Sequence, residues 1–232
     1  MTELDPISLE IISNALRSVT DETYAALMKS AYSTNIKERH DHSTAIMDAR
    51  GCLIVQAVES LPIHIASMNG LMESLLEKFG SDICQGDIFV ANDPHSAGGT
   101  HLPDINLATP VYLAGELQGF VCNIAHHADV GGMAPGSMAG GMSEIYQEGL
   151  RIPVIRLFKK GELQQDILDL LLLNVRVPIE RRGDYFAQIS ACRLGERRLL
   201  EVINTYDPQT IQQAFDEIIQ RTNRRMGDSI ES

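Results

Sequence analysis

The chain contains no tryptophan, only 5% aromatic residues and just four cysteines in 232 positions. So few aromatic faces disfavour a base-stacking surface for single-stranded nucleic acid. Basic residues are also scarce: 19 Lys and Arg stand against 31 Asp and Glu, a formal charge of −12. Nucleic acid and anionic membranes both call for a basic surface, so neither is an expected partner. Cys52, Cys84, Cys122 and Cys192 are widely spaced with no CxxC, which reads as reduced thiols rather than a disulfide frame or structural zinc site. No apolar run approaches the roughly 18–20 residues of a membrane span. No charged start leads into an apolar stretch, so no secretion signal is expected and the expected location is cytoplasmic. Three catalytic signatures are missing as well: the GxxxxGK[ST] phosphate loop, a dinucleotide fingerprint and the GxSxG elbow of serine hydrolases.

The residues present, 44% hydrophobic and 22% charged, are those of an ordinary globular protein. The expected class is α+β, with antiparallel hairpins in a mixed sheet, flanking helices and a helical last third. Pro6 opens a helix over 5–32, with Ile7, Ile11, Ile12, Ala15, Leu16 and Val19 at helical spacing. Strands at 43–48 and 52–57 flank the turn Ala49-Arg50-Gly51. A helix over 64–79 ends at Gly80, and a strand over 86–91 runs into an Asn-Asp-Pro turn. A second hairpin pairs 104–112 with 118–125 around Ala114-Gly115-Glu116. The glycine-rich tract 131–141, with five glycines and one proline, reads as a loop, and helices follow at about 163–173, 180–202 and 208–226.

Chemistry concentrates between Asn92 and Glu148, which hold four of the seven histidines beside Asp93, Asp104, Asp129, Glu144 and Glu148. Centring the second hairpin on Gly115 places positions that sum to about 230 opposite each other, so Asp104 faces His126 at the open end. His101 lies three residues before Asp104, with Pro103 stiffening the approach. Two imidazoles and a carboxylate suit Mn, Fe, Zn or Co with coordination positions left open. The same residues would also be ordinary as satisfied polar groups. His127 is expected on the face opposite His126, either behind the site or on a substrate. Asp93 reads as an Asx-type turn at least as well as a ligand. Glu144 and Glu148 have helical spacing, which is equally common on solvated faces. The entry to the first hairpin, Glu38 to His42, forms a weaker cluster from which Asp41 could be aimed inward.

Several segments carry a resemblance: NIKERHDHSTAIMDARG, GDIFVANDPHSAGGTHLPDI, AHHADVGGMAPGSM, SEIYQEGLRIP and NVRVPIERRGDYFAQISA. In this order, from about Pro6 to Arg198, they resemble the hydantoinase B/oxoprolinase family. The resemblance implies a B-type subunit of an ATP-dependent cyclic-amide hydrolase. A hydantoinase A-like ATPase partner would bind ATP and Mg and phosphorylate the carbonyl, and the B-type subunit would open the ring with a divalent metal (Mn, Zn or Fe). It places the metal on His101, Asp104 and His126, in agreement with the hairpin geometry, and leaves His127, Asp129 or Glu144 as base or orienter. B-type subunits of the family are longer, so residues 6–232 are expected to be the N-terminal portion of such a domain. Two other readings stay open: a subunit of an acetone- or acetophenone-type carboxylase acting on a small ketone, and a non-catalytic partner-binding module.

Overall fold

The computed structural model describes residues 4–231. The first helix, α1 (Pro6–Ser30), starts where the Asp5 carboxylate accepts the backbone N–H groups of Ile7 and Ser8. Proline also stands in the first turn of α3 (Pro62–Phe79) and α5 (Pro178–Tyr206) and begins α6 (Pro208–Glu231). Its missing N–H costs nothing there, because a first-turn donor has no intrahelical acceptor. Short α2 (Thr34–Lys37) and α4 (Gln165–Leu173) complete the α-helices of the described residues.

Seven strands form one sheet: β1 (His42–Asp48), β2 (Leu53–Gln56), β3 (Ile88–Ala91), β4 (Asp104–Leu113), β5 (Glu116–His126), β6 (Ile155–Lys159) and β7 (Glu162–Leu163). Their spatial order is β2-β1-β5-β4-β3-β6-β7. The class is α+β as expected, but every pairing is antiparallel, so the sheet is not mixed. The reason lies in the long connection through α3. It carries β3 past β1 and the β4–β5 hairpin to the far side of β4, where both neighbours run opposite to it.

The sheet is covered on both faces. One face packs Ala45, Met47, Phe89, Phe120 and Cys122 against Met68, Leu71, Met72 and Leu75 of α3. The other packs Ile46 and Val121 against α1, α5 and α6, and Val90, Leu107 and Leu157 against α4 and α5. Each fully buried Leu, Ile or Phe in these layers is worth roughly 1.5–3 kcal/mol of transfer free energy. No helix among the described residues is long and apolar enough to cross a membrane.

The β4–β5 hairpin turns on Ala114 and Gly115, both at positive φ (52° and 84°), the backbone a two-residue hairpin turn needs. The pairing that follows runs from Val111 opposite Gly119 to Asp104 opposite His126, with an irregularity beside Val111. β1 pairs with the other edge of β5, His42 opposite Ala125, so Asp41 arrives beside His126 and its carbonyl accepts the His126 N–H (3.0 Å).

Candidate metal centre

Side chains alternate across a strand, and this alternation sorts the site. Asp104, Asn106 and Ala108 of β4 and Ile124 and His126 of β5 face α3: Asn106 donates to Ser67 of that helix (3.0 Å), and Ala108 and Ile124 join its core. Ile105 and Asn123 face α5. Asp104 and His126 therefore share one surface at the open end of the hairpin, under the N-terminal turn of α3.

The lead-in to β4 brings His101 over the same point. His101 Nε2 lies 3.1 Å from Asp104 Oδ1, and His126 Nδ1 lies 3.2 Å from that same oxygen. One donor atom from each of the three residues falls within 4.8 Å of the others. Asp104 and His126 are buried and His101 is about one-third exposed, so the cluster opens to solvent on one side. Neither imidazole makes a well-directed hydrogen bond to Asp104 Oδ1, which is buried and without a hydrogen-bond partner. Two ring nitrogens and an orphaned carboxylate oxygen thus converge on a shared space, the donor set and placement that a borderline divalent cation takes. The other Asp104 oxygen accepts from the Thr100 hydroxyl, which orients the carboxylate.

Electrostatics favours an ionised carboxylate at this point. Burial works to raise the Asp104 pKa, but His101, His126 and Thr100 outweigh it and hold the carboxyl far below the usual range. The Asp104 carboxylate in turn raises the His101 pKa, against burial.

Two further residues belong to the cluster. Asp41 Oδ2 stands 3.6 Å from His126 Nδ1, and its Oδ1 stands 3.5 Å from His64 Nε2. His64, buried in the first turn of α3, also lies 3.7 Å from Asp104 Oδ2. Burial lowers its pKa despite the two carboxylates. Its Nδ1 is 2.9 Å from Ser43 Oγ, which accepts the Leu61 N–H. The carboxylates favour the ring proton on Nε2, leaving Nδ1 to accept from Ser43. From sequence, Asp41 is visible only as an inward-aimed possibility, and His64 does not stand out. Its one local signal is a histidine close behind a helix-starting proline, where it replaces an apolar residue on the buried face.

The other expected residues are placed elsewhere. His127 is buried on the α5 side, its Nε2 2.9 Å from Gln188 Oε1, and burial lowers its pKa. Asp129 organises the glycine-rich loop, accepting from Gly131 N (3.0 Å), Gly136 N (3.0 Å) and Arg176 Nη1 (2.9 Å). Glu144 is exposed and precedes a single 3-10 turn, Ile145–Gln147, rather than an α-helix; its N–H donates to Gln147 Oε1. The structure does not bring these three to the His101–Asp104–His126 point. Glu148 lies on the His101 side and adds to its raised pKa. Asp93 forms the Asx-type turn, accepting from the N–H groups of His95 and Ser96, and pairs with Arg151.

Comparison with known proteins gives consistent relatives. The profile of the hydantoinase B/oxoprolinase family matches residues 5–232. The beta subunit of caprolactamase from Pseudomonas jessenii is 34% identical over 97% of this chain, which spans 39% of that subunit. A 5-oxoprolinase of Dictyostelium discoideum is 37% identical over 88% of this chain and 16% of its own length. The crystal structure of the ATP-dependent caprolactamase from Pseudomonas jessenii superposes with a TM-score of 0.90 at 34% identity, covering 96% of this chain and 38% of the other. The chain thus spans well under half of the relatives it matches. With the fold of a 34%-identical relative and a family match over residues 5–232 in agreement, the chain belongs to the hydantoinase B/oxoprolinase family.

Proposed function

We propose that this chain forms the N-terminal portion of a B-type subunit of an ATP-dependent cyclic-amide hydrolase. It acts with a hydantoinase A-like ATPase partner that binds ATP and Mg. The observation that carries the reading is the convergence of His101, His126 and the orphaned Asp104 oxygen within 4.8 Å. Caprolactamase, 5-oxoprolinase and a D-/L-hydantoinase, among the relatives, point to a lactam or hydantoin ring as substrate.

Unstrained lactams resist hydrolysis because amide resonance weakens the carbonyl as an electrophile. Phosphorylation of its oxygen by the partner removes that resonance and creates a leaving group. His101, Asp104 and His126 would hold a divalent cation (Mn, Zn or Fe), which would supply Lewis acidity beside the bound ring. Asp41 adds a second carboxylate at the same space, on the more open side. His64 holds a proton on Nε2 between Asp41 and Asp104 and keeps both carboxylates turned toward the cluster. His127 and Asp129 act through what they hold: the α5 face of the hairpin and the glycine-rich loop. Glu144 is left at the surface.

The test is co-expression with an A-type ATPase partner and an assay of ATP-dependent opening of a lactam and hydantoin panel. Ring opening lost in His101→Ala and His126→Ala, with the two proteins still associating, is the expected result. Unchanged ring opening in both variants would overturn the assignment. Substrate-dependent fixation of labelled bicarbonate in place of ring opening would move the protein to a ketone-carboxylase role.

A further inference from the structure

The segment PIERRGDYFAQISA builds a buried polar stripe on α5 that the metal donors do not explain. Arg181, Asp184 and Gln188 recur at i, i+3 and i+7 and are at most 1% exposed. Burying three polar side chains on one helix face is costly unless each is tied to something specific.

Gln188 is tied to the two strands that carry the donors. Its Nε2 donates to the carbonyl of Ile105 (2.8 Å) and to Asn123 Oδ1 (2.9 Å). Its Oε1 contacts His127 Nε2 at 2.9 Å, and its own carbonyl accepts from Asn123 Nδ2 (2.9 Å). The orientation follows from chemistry. A carbonyl can only accept, so the amide nitrogen of Gln188 must face Ile105 and its oxygen must face His127. His127 therefore carries its proton on Nε2. Ile105 directly follows Asp104, and His127 directly follows His126. One side chain on the α5 face thus grips the residue next to a candidate ligand on each strand, while the ligands point to the α3 face.

The same stripe reaches the third segment of the cluster. Asp184 Oδ1 accepts the N–H groups of Tyr32 (2.8 Å) and Ser33 (3.0 Å), which fixes the entry to α2 and the lead-in to Asp41. Asp104 and His126 form the last pair of the β4–β5 ladder, with the His127 N–H donating to the Pro103 carbonyl just past it (2.8 Å), and a donor set is useful only when held within about 0.5 Å.

We propose that Gln188 is the positioning residue of the metal centre, holding Asp104 and His126 in register from the opposite face of the hairpin. This rests on the reading that His101, Asp104 and His126 take a cation. Removing the amide leaves the His127 N–H without an acceptor in a dry core. It also frees Ile105 and His127 to move their neighbours.

The experiment titrates the full chain with Co(II), read by its visible d–d absorption, with Mn(II) as competitor. Gln188→Met keeps length and removes every side-chain hydrogen bond. It should bind Co(II) about 10- to 100-fold more weakly, the usual cost of losing an outer-shell partner, with a changed absorption envelope. Gln188→Glu keeps the acceptor for His127 and loses the amide donors. It should show the same direction and serves if the Met variant does not fold. Leu199→Ala, fully buried on the same helix but outside this network, is the control for plain destabilisation. It should melt earlier and bind as the wild type does. Wild-type affinity and spectrum in the Gln188 variants would overturn the proposal, as would an equal loss in Leu199→Ala. Absence of Co(II) binding by the wild type, or binding that survives His126→Ala, would instead remove the metal reading itself and this proposal with it.

Discussion

The buried pair at the head of α5 gives a sharp stability prediction for Asp184→Ala. Arg181 and Asp184 are 1% and 0% exposed, with Nη2 and Oδ2 at 2.9 Å. Deleting the carboxylate leaves a buried guanidinium without its main counter-charge, a loss of about 3–5 kcal/mol for such pairs. Two local features modify that figure. Glu180 Oε2, on an exposed side chain, lies 3.4 Å from the same Nη2 and offers a weaker replacement. In the opposite direction, the N–H groups of Tyr32 and Ser33 lose their acceptor, and buried Ser33 has no water to turn to. The two corrections are similar in size, so about 3–5 kcal/mol stands. At about 2–4 °C per kcal/mol for a chain of this size, Tm should fall by about 6–20 °C. Arg181→Met should cost less, because Asp184 keeps both backbone donors. The double variant should then lose less than the sum of the two single losses. Urea unfolding followed by circular dichroism measures all three. A loss below about 1 kcal/mol in Asp184→Ala, or strict additivity, would refute this account of the pair.

Other consequences follow from the loop that carries His101. A Cβ on Gly70 of α3 would lie 2.5 Å from the Gly98 Cα, where about 3.5–4.0 Å is normal. Gly70→Ala should gain about 1 kcal/mol of helix propensity but lose more by forcing backbone from backbone, a net fall of about 1–2 kcal/mol. A higher Tm in this variant would contradict the close packing. Asp93 titrates at about 2, below its ordinary 3.8: burial raises its pKa, but Arg151 and the Ser96 contacts outweigh that. Its contribution, about 2 kcal/mol, is complete above pH 3.8 and should vanish as pH falls through about 2. Acid titration of stability in wild type and Arg151→Met checks the sign; equal acid dependence in the two would contradict it.

Part of this site is legible in the residues. A hairpin is a local structure, so centring it on Gly115 correctly sets Asp104 opposite His126, and alternation correctly sends His127 to the other face. The helix starts are readable from Pro6 and the prolines near 62, 178 and 208. The pairing of β1 with β5 is not, because 85 positions separate Asp41 from His126 and no local pattern encodes that contact. His64 escapes notice for the same reason: it joins through the docking of α3, a tertiary event. The short β6 and β7 lack a clear alternation, and β6 exists because β3 offers it an edge. Gln188 looks like any polar residue of a helix until the sheet is laid against it.

The most direct measurement is the metal content of the purified chain, after Mn, Zn and Fe supplementation, beside His101→Ala and His126→Ala. Near-stoichiometric metal in the wild type, lost in both variants with folding retained by circular dichroism, is the predicted result. A wild type without metal, or stoichiometric metal retained in both variants, would contradict the three-residue centre.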